Sequence, residues 1–322
     1  MVDQAVQTAE GEALRQAKPA SVSKFAWWTL GVNIFVILWG AYVRATGSGA
    51  GCGGHWPLCN GEVIPRQPAL ETLIEFTHRI SSGAALLFVA VLLILALRRY
   101  PSGHHVRKIA VVAAGLIVLE ALLGAGLVLF DLVGGNTSIS RAAAGSAHLL
   151  NTFLLLASLS LAAAWSTWEH GPVLETIPRG MAVSLGLGLV GVILIGMTGS
   201  IAALGDTLFP ATSISEGLRQ DFDSASHILL RLRSLHPIIA VMVSTILLGI
   251  ARFSYSGRED LIRIRDILAG LTIVQLLAGA INVVLLAPVW LQLLHLLLAD
   301  LLWISLVILA DRARREPTVK HP

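Results

Sequence analysis

Eight long apolar runs constrain this chain more than any other feature. They fall at about 25–45, 74–97, 108–130, 142–165, 180–203, 234–253, 264–286 and 290–310. Each matches the roughly 20 residues that a helix needs to cross the hydrocarbon of a bilayer. There the backbone must satisfy its own hydrogen bonds, so a spanning segment is a helix or a strand of a closed barrel. Barrel strands alternate apolar and polar residues, whereas these runs are continuous, which leaves helices. Of the 322 residues, 55% are hydrophobic and 13% charged, about half the usual charged share. Those figures exclude an ordinary soluble enzyme, a disordered chain and a secreted disulfide scaffold. The net charge of +3 comes largely from short loops beside apolar runs and gives no sign of nucleic-acid binding.

Basic residues set the orientation. With the N-terminus inside, 16 of the 23 Lys and Arg residues fall on inside segments, which puts both termini in the cytoplasm. Residues 1–23 are polar and mixed in charge, without the layout of a signal peptide, and read as a cytoplasmic tail. Residues 312–322 form a second one. The loops at 46–73 and 204–233 then face outside. The two cysteines, Cys52 and Cys59, share the first of these loops, where an oxidising exterior allows them to pair.

The chain also reads as two copies of a four-span unit. "VRATGSGAG" at the end of the first span matches "IGMTGSIAALG" at the end of the fifth. "LIVLEALLGAGLVLF" matches "LTIVQLLAGAINVVL", and "AHLLNTFLLLASLSLA" matches "LHLLLADLLWISLVIL". Each copy has an even number of spans, so both insert in the same direction about an axis along the membrane normal. The expected fold is an all-α membrane protein. Its eight transmembrane helices form two pseudo-two-fold-related four-helix bundles, at 24–166 and 179–311.

The repeat makes four of the ten histidines informative. His78, His148, His236 and His295 sit near the starts of the four even-numbered spans, hence at one depth near the outer face. One such residue alone reads as a hydrogen-bonded interfacial histidine. Four at matching repeat positions, two per bundle, read as ligands. A proton relay would string its groups across the membrane instead. Zinc wants three or four ligands, whereas two histidines on facing helices suit the two axial positions of a haem iron. Two haem sites follow, one per bundle. Arg79, Arg141, Arg231 and Arg233 flank the histidines and could meet haem propionates, or simply anchor the interface.

The halves differ at one telling point. Glu75 lies one turn before His78 on the same helix face, and its counterpart in the second half is Arg233. A carboxyl at the apolar edge of a bundle could relay protons. It could also be a helix N-terminal charge favoured by the dipole. The first bundle therefore carries a candidate catalytic group, and the second reads as a store or conduit for electrons. Glu120, Asn151, Gln275, Asn282 and Asp300 read as interhelical hydrogen-bonding residues.

The set "GCGGHWPLC", "EFTHRISSG", "AHLLN", "LHP" and "LQLLHLLLAD" within eight spans resembles the haem A synthase family, over about 25–311. The resemblance implies an inner-membrane oxidoreductase that acts on haem O. It oxidises the C8 methyl to a formyl by two successive hydroxylations, through a geminal diol that loses water. It further implies that His78 and His148 meet the iron of the substrate haem. His236 and His295 would ligate a haem b cofactor for electron transfer, and Glu75 would be required for catalysis. It also implies a Cys52–Cys59 disulfide, and partnership with haem O synthase, cytochrome oxidase assembly factors and an electron donor. A second cysteine pair, found in some members after the fifth span, is missing here. The main alternative is a non-catalytic di-haem b electron carrier. A transporter and a prenyltransferase are weaker readings, since no Asp-x-x-x-Asp cluster lies at the membrane edge.

Overall fold

A computed structural model describes residues 20–168, 177–253 and 258–315. Most of the two expected tails, with His170 and His321, lies outside the described residues. Ten α-helices carry the described chain. They are α1 (Ala20–Ala45), α2 (Leu70–Arg99), α3 (His105–Leu129), α4 (Ile139–Thr167), α5 (Arg179–Leu208), α6 (Ile214–Phe222), α7 (Ile228–Arg233), α8 (Leu235–Phe253), α9 (Ile262–Val284) and α10 (Val289–Ala313). No strand occurs among the described residues; an isolated bridge joins Cys59 to Glu62. Eight helical stretches are long and apolar enough to cross a membrane, with α7 and most of α8 forming one of them.

Most helices begin before the hydropathy does. The first was expected near 25 and starts at Ala20; the second was expected near 74 and starts at Leu70. Polar caps explain some of this. Ser138 Oγ accepts from the Arg141 amide at the start of α4, and Ser213 Oγ from the Glu216 amide at the start of α6. Two histidines outside the repeated set are also caps. His104 Nδ1 accepts from the Val106 amide and His227 Nδ1 from the Leu229 amide. Burial, with His105 beside it, holds His104 below the ordinary histidine pKa, which leaves its nitrogen free to accept. Helix α6 was not expected. Its apolar residues Ile214, Leu218 and Phe222 share one exposed face.

Sequence neighbours pack together, and α4 returns to α1 while α10 returns to α5. The two halves meet where α4 packs on α5 and α10, and α4 and α10 are the most buried spans. In these helices 61% and 50% of the most apolar stretch is buried, against 17–33% in the other spans. The remaining spans keep an apolar outer surface for lipid. The meeting point is specific. Trp303 Nε1 donates to the Phe153 carbonyl at 2.7 Å, and the two rings stack 5.3 Å apart. Phe153 also fills the notch of Gly196 on α5, where a methyl would lie 2.6 Å from its ring. Small residues allow this close approach in a bilayer, where apolar burial between helices gives no driving force.

The Gly196→Ala variant is therefore expected to lower the thermal unfolding midpoint of the purified protein, through an overpacking cost of about 1–3 kcal/mol. Gly186→Ala is its control, because nothing lies within 4 Å of the added methyl. Equal midpoints for the two variants would show that the Phe153 notch does not hold the halves together.

Candidate functional site

Each of the four histidines lies against a glycine of the preceding long helix. A methyl at Gly40, Gly199 or Gly279 would stand 2.9, 3.0 or 3.1 Å from Cε1 of His78, His236 or His295. At Gly124 it would stand 3.8 Å from Cε1 of His148. At three of the four seats a methyl would therefore crowd the imidazole, most at Gly40. Matching the halves by these seats pairs Gly40 with Gly199. That differs by two helical turns from the register suggested by the Thr-Gly-Ser motifs at Thr46 and Thr198.

Within the second half, the His236 and His295 ring centres lie 6.4 Å apart, with the ring planes at 84°. Metal–imidazole bonds of about 2 Å place two rings on opposite sides of one ion roughly 6 Å apart, so the spacing fits a shared metal. Buried Nδ1 atoms of His78, His148 and His295 have no hydrogen-bond partner among the described residues. His236 Nδ1 lies 3.3 Å from Thr198 Oγ1. No three His, Cys, Asp or Glu side chains converge among the described residues. His236 and His295 are therefore a pair of facing donors, the number that a haem iron takes.

Glu75 is the hub of the first half. Its carboxylate is buried, at 3% exposure. Oε2 accepts from the Cys52 amide at 2.8 Å, and Oε1 pairs with Arg79 at 2.5 Å. Arg79 in turn donates to the carbonyls of His55 and Leu58, both at 2.6 Å. Cys52 and Cys59 form the disulfide. One ion pair therefore clamps the disulfide loop onto α2, one turn before His78. Thr72 Oγ1 adds a bond to the Gly51 carbonyl at 2.7 Å. The glycines of the Gly-Cys-Gly motif have distinct reasons. A methyl on Gly51 would meet the Glu71 backbone at 2.5 Å, and Gly53 has a left-handed φ of +62°.

In the second half the charge is reversed and the contacts differ. Arg233, one turn before His236, binds Asp206 and Asp221, each at 2.7 Å, and so ties α5 and α6 to α7. Arg141 closes the α3–α4 turn through the carbonyls of Gly134 and Asn136. Arg231 is exposed. Three of the four flanking arginines thus already serve the chain's own acceptors. Arg44 was missed because an arginine at a helix end reads as an interfacial anchor. It leaves α1 to reach Ala203 O and Thr207 on α5, and Gln292 on α10, one turn before His295.

Of the embedded polar residues, Glu120 and Asn151 do bond between helices, at 2.5 Å. Asp300 does not: it is fully buried and neither carboxyl oxygen has a partner among the described residues. Asn282 Oδ1 is likewise unpartnered.

The fold and site define a multi-pass membrane protein with two pairs of inward-seated histidines near one end of its helices. Residues 23–307 match COX15-CtaA, described as cytochrome oxidase assembly protein, and the chain belongs to that family. It is 48% identical over 291 residues to a protoheme IX farnesyltransferase of Thermus thermophilus, covering 90% of this chain and 48% of that protein. It is 47% identical over 102 residues to a heme A synthase of Alkalihalophilus pseudofirmus, covering 32% of this chain and 34% of the relative. A heme A synthase of Halalkalibacterium halodurans is 43% identical over 128 residues, 39% of this chain and 42% of its own. The chain thus spans less than half the length of each of these relatives.

If Glu75 clamps the loop, Glu75→Ala frees the Cys52 amide while the disulfide remains. Hydrogen exchange across 51–62 is then expected to quicken, with exchange in α4 unchanged. Unaltered exchange in that loop would mean that the disulfide and Thr72 hold it without Glu75.

Proposed function

We propose that this chain oxidises the C8 methyl of haem O to the formyl of haem A, in two successive hydroxylations. The observation that carries the reading is an asymmetry. Both halves seat a pair of histidines on glycines, and only the first half adds a buried carboxylate clamped to a disulfide loop. His78 and His148 would hold the iron of the substrate haem. His236 and His295 would hold a haem b that exchanges electrons with it. Bound haem supplies the redox chemistry that oxidation of a methyl group demands.

The chain's own residues orient and enclose. The glycine seats fix the depth and rotation of each imidazole, and with them the rotation of a bound ring. The Glu75–Arg79 clamp holds the disulfide loop beside His78, where it screens the reacting edge from water. Glu75 provides a carboxylate one turn from His78 that can take up a proton released from the substrate side. Arg231, which is exposed, and the N–H groups that Arg79, Arg141 and Arg233 have left over would meet propionates. Arg44 links the two halves at the histidine end through Ala203, Thr207 and Gln292.

The farnesyltransferase name belongs to a relative of which this chain matches under half. We read farnesyl transfer as residing in the part of that protein that this chain does not match. One polypeptide holding both parts supports partnership with the enzyme that supplies farnesylated haem. The charge pattern supports an inner-membrane location with the histidine end outside. A di-haem electron carrier is the second reading, favoured by the seats common to both halves. It leaves Glu75 with a structural role alone, the tie between the disulfide loop and α2.

The test is Glu75→Ala expressed with a source of haem O. This variant is expected to keep haem b and accumulate haem O or a partly oxidised haem. Full conversion to haem A in the variant would remove Glu75 from the reaction. Separately, His236→Ala and His295→Ala are each expected to lose the low-spin haem b spectrum. Retention of that spectrum in both would reverse the assignment of the two halves.

A further inference from the structure

The halves differ a second time, behind the histidines of α4 and α10. Glu120 lies one turn before Gly124 in α3, and Gln275 one turn before Gly279 in α9. Each therefore shares a helix face with the glycine on which the histidine sits. Glu120 Oε1 stands 3.6 Å from His148 Nε2, and Gln275 Nε2 stands 3.2 Å from His295 Nε2. The contact is the same in kind and different in charge. Among the described residues, no other histidine lies at ion-pairing distance from a carboxylate.

Glu120 is built into the helix pair. Its side chain is 16% exposed. Asn151 Nδ2 reaches Oε2 at 2.5 Å, and Thr152 Oγ1 binds Oε1. Asn151 Nδ2 is also bonded to the Leu116 carbonyl at 3.0 Å. Both donors come from the turn of α4 that follows His148, so the carboxylate and the imidazole are set against each other by the same helix.

We propose that Glu120 is a positioning residue for His148 that gives the first-half haem a lower reduction potential than the second-half haem, where Gln275 makes the equivalent contact without charge. This rests on the haem reading above. The reason is electrostatic. Reduction adds one electron to a haem iron and removes one unit of positive charge. A fixed carboxylate beside the axial ligand stabilises the oxidised form, and an apolar interior screens it poorly. The amide of Gln275 carries no net charge and exerts no comparable pull.

The experiment is a spectroelectrochemical titration of the purified, haem-loaded protein, with an electrode and mediators supplying the electron. Two one-electron waves are expected. In Glu120→Gln the lower wave should move to higher potential while the upper wave stays in place. In Gln275→Glu the upper wave should move down while the lower one stays. Glu120→Asp should keep the lower wave near its original position. A role confined to helix packing would change thermal stability and leave the waves where they are. Two unmoved waves in Glu120→Gln, with both haems retained, overturn the proposal. Should Glu120→Gln lose its first haem, Gln275→Glu decides the matter, and an unmoved upper wave overturns it. A protein that takes up no haem at all gives no waves, and removes the proposed function together with this inference.

Discussion

The arrangement depends on how closely a helix backbone can approach an imidazole. A methyl at Gly40, Gly199 or Gly279 would crowd His78, His236 or His295, and at Gly124 it would make ordinary contact with His148. In a bilayer the cost of misplacing a polar ring is higher than in water, because no solvent satisfies its nitrogens. The same rule of small residues governs the rest of the packing. Gly196 admits Phe153, and Gly188 and Gly191 admit Ile250 and Val243, each with under 3 Å for an added methyl.

On this common frame the halves have diverged by charge. The first half has Glu75 before His78 and Glu120 beside His148. The second has Arg233 before His236 and Gln275 beside His295. Glu75 and Arg233 occupy related places and do related mechanical work. Each ties an irregular connection to the helix that carries a histidine, Glu75 with the disulfide loop and Arg233 with α6. The first half thereby keeps a carboxylate beside its histidines, and the second has none in contact with them among the described residues.

Much of this was legible in the sequence, and the reasons are physical. Continuous apolar runs admit one fold class, and the four recurring histidines His78, His148, His236 and His295 each lie against a glycine of the preceding long helix. The pairing of Cys52 with Cys59 was implied by motif and is present. The glycine seats were not legible, because a glycine in an apolar helix reads equally well as general packing. Arg79 was read as meeting a propionate or anchoring the interface; its bonds to Glu75 and to two loop carbonyls were not legible. Loop carbonyls cannot be placed from residue types. Helix α6 escaped notice for a different reason: its nine residues are amphipathic but few and polar on average, so they do not stand out beside eight long apolar runs.

Membership of the cytochrome oxidase assembly family and the seated histidines meet in one claim, that the first half holds a haem whose methyl group is oxidised. The most direct measurement is acid–acetone extraction of the purified protein from cells supplied with haem O. The haems are then separated by chromatography and identified by mass. Haem b together with haem O, a hydroxylated haem or haem A is the expected result. Haem b alone would contradict the claim and leave a di-haem electron carrier.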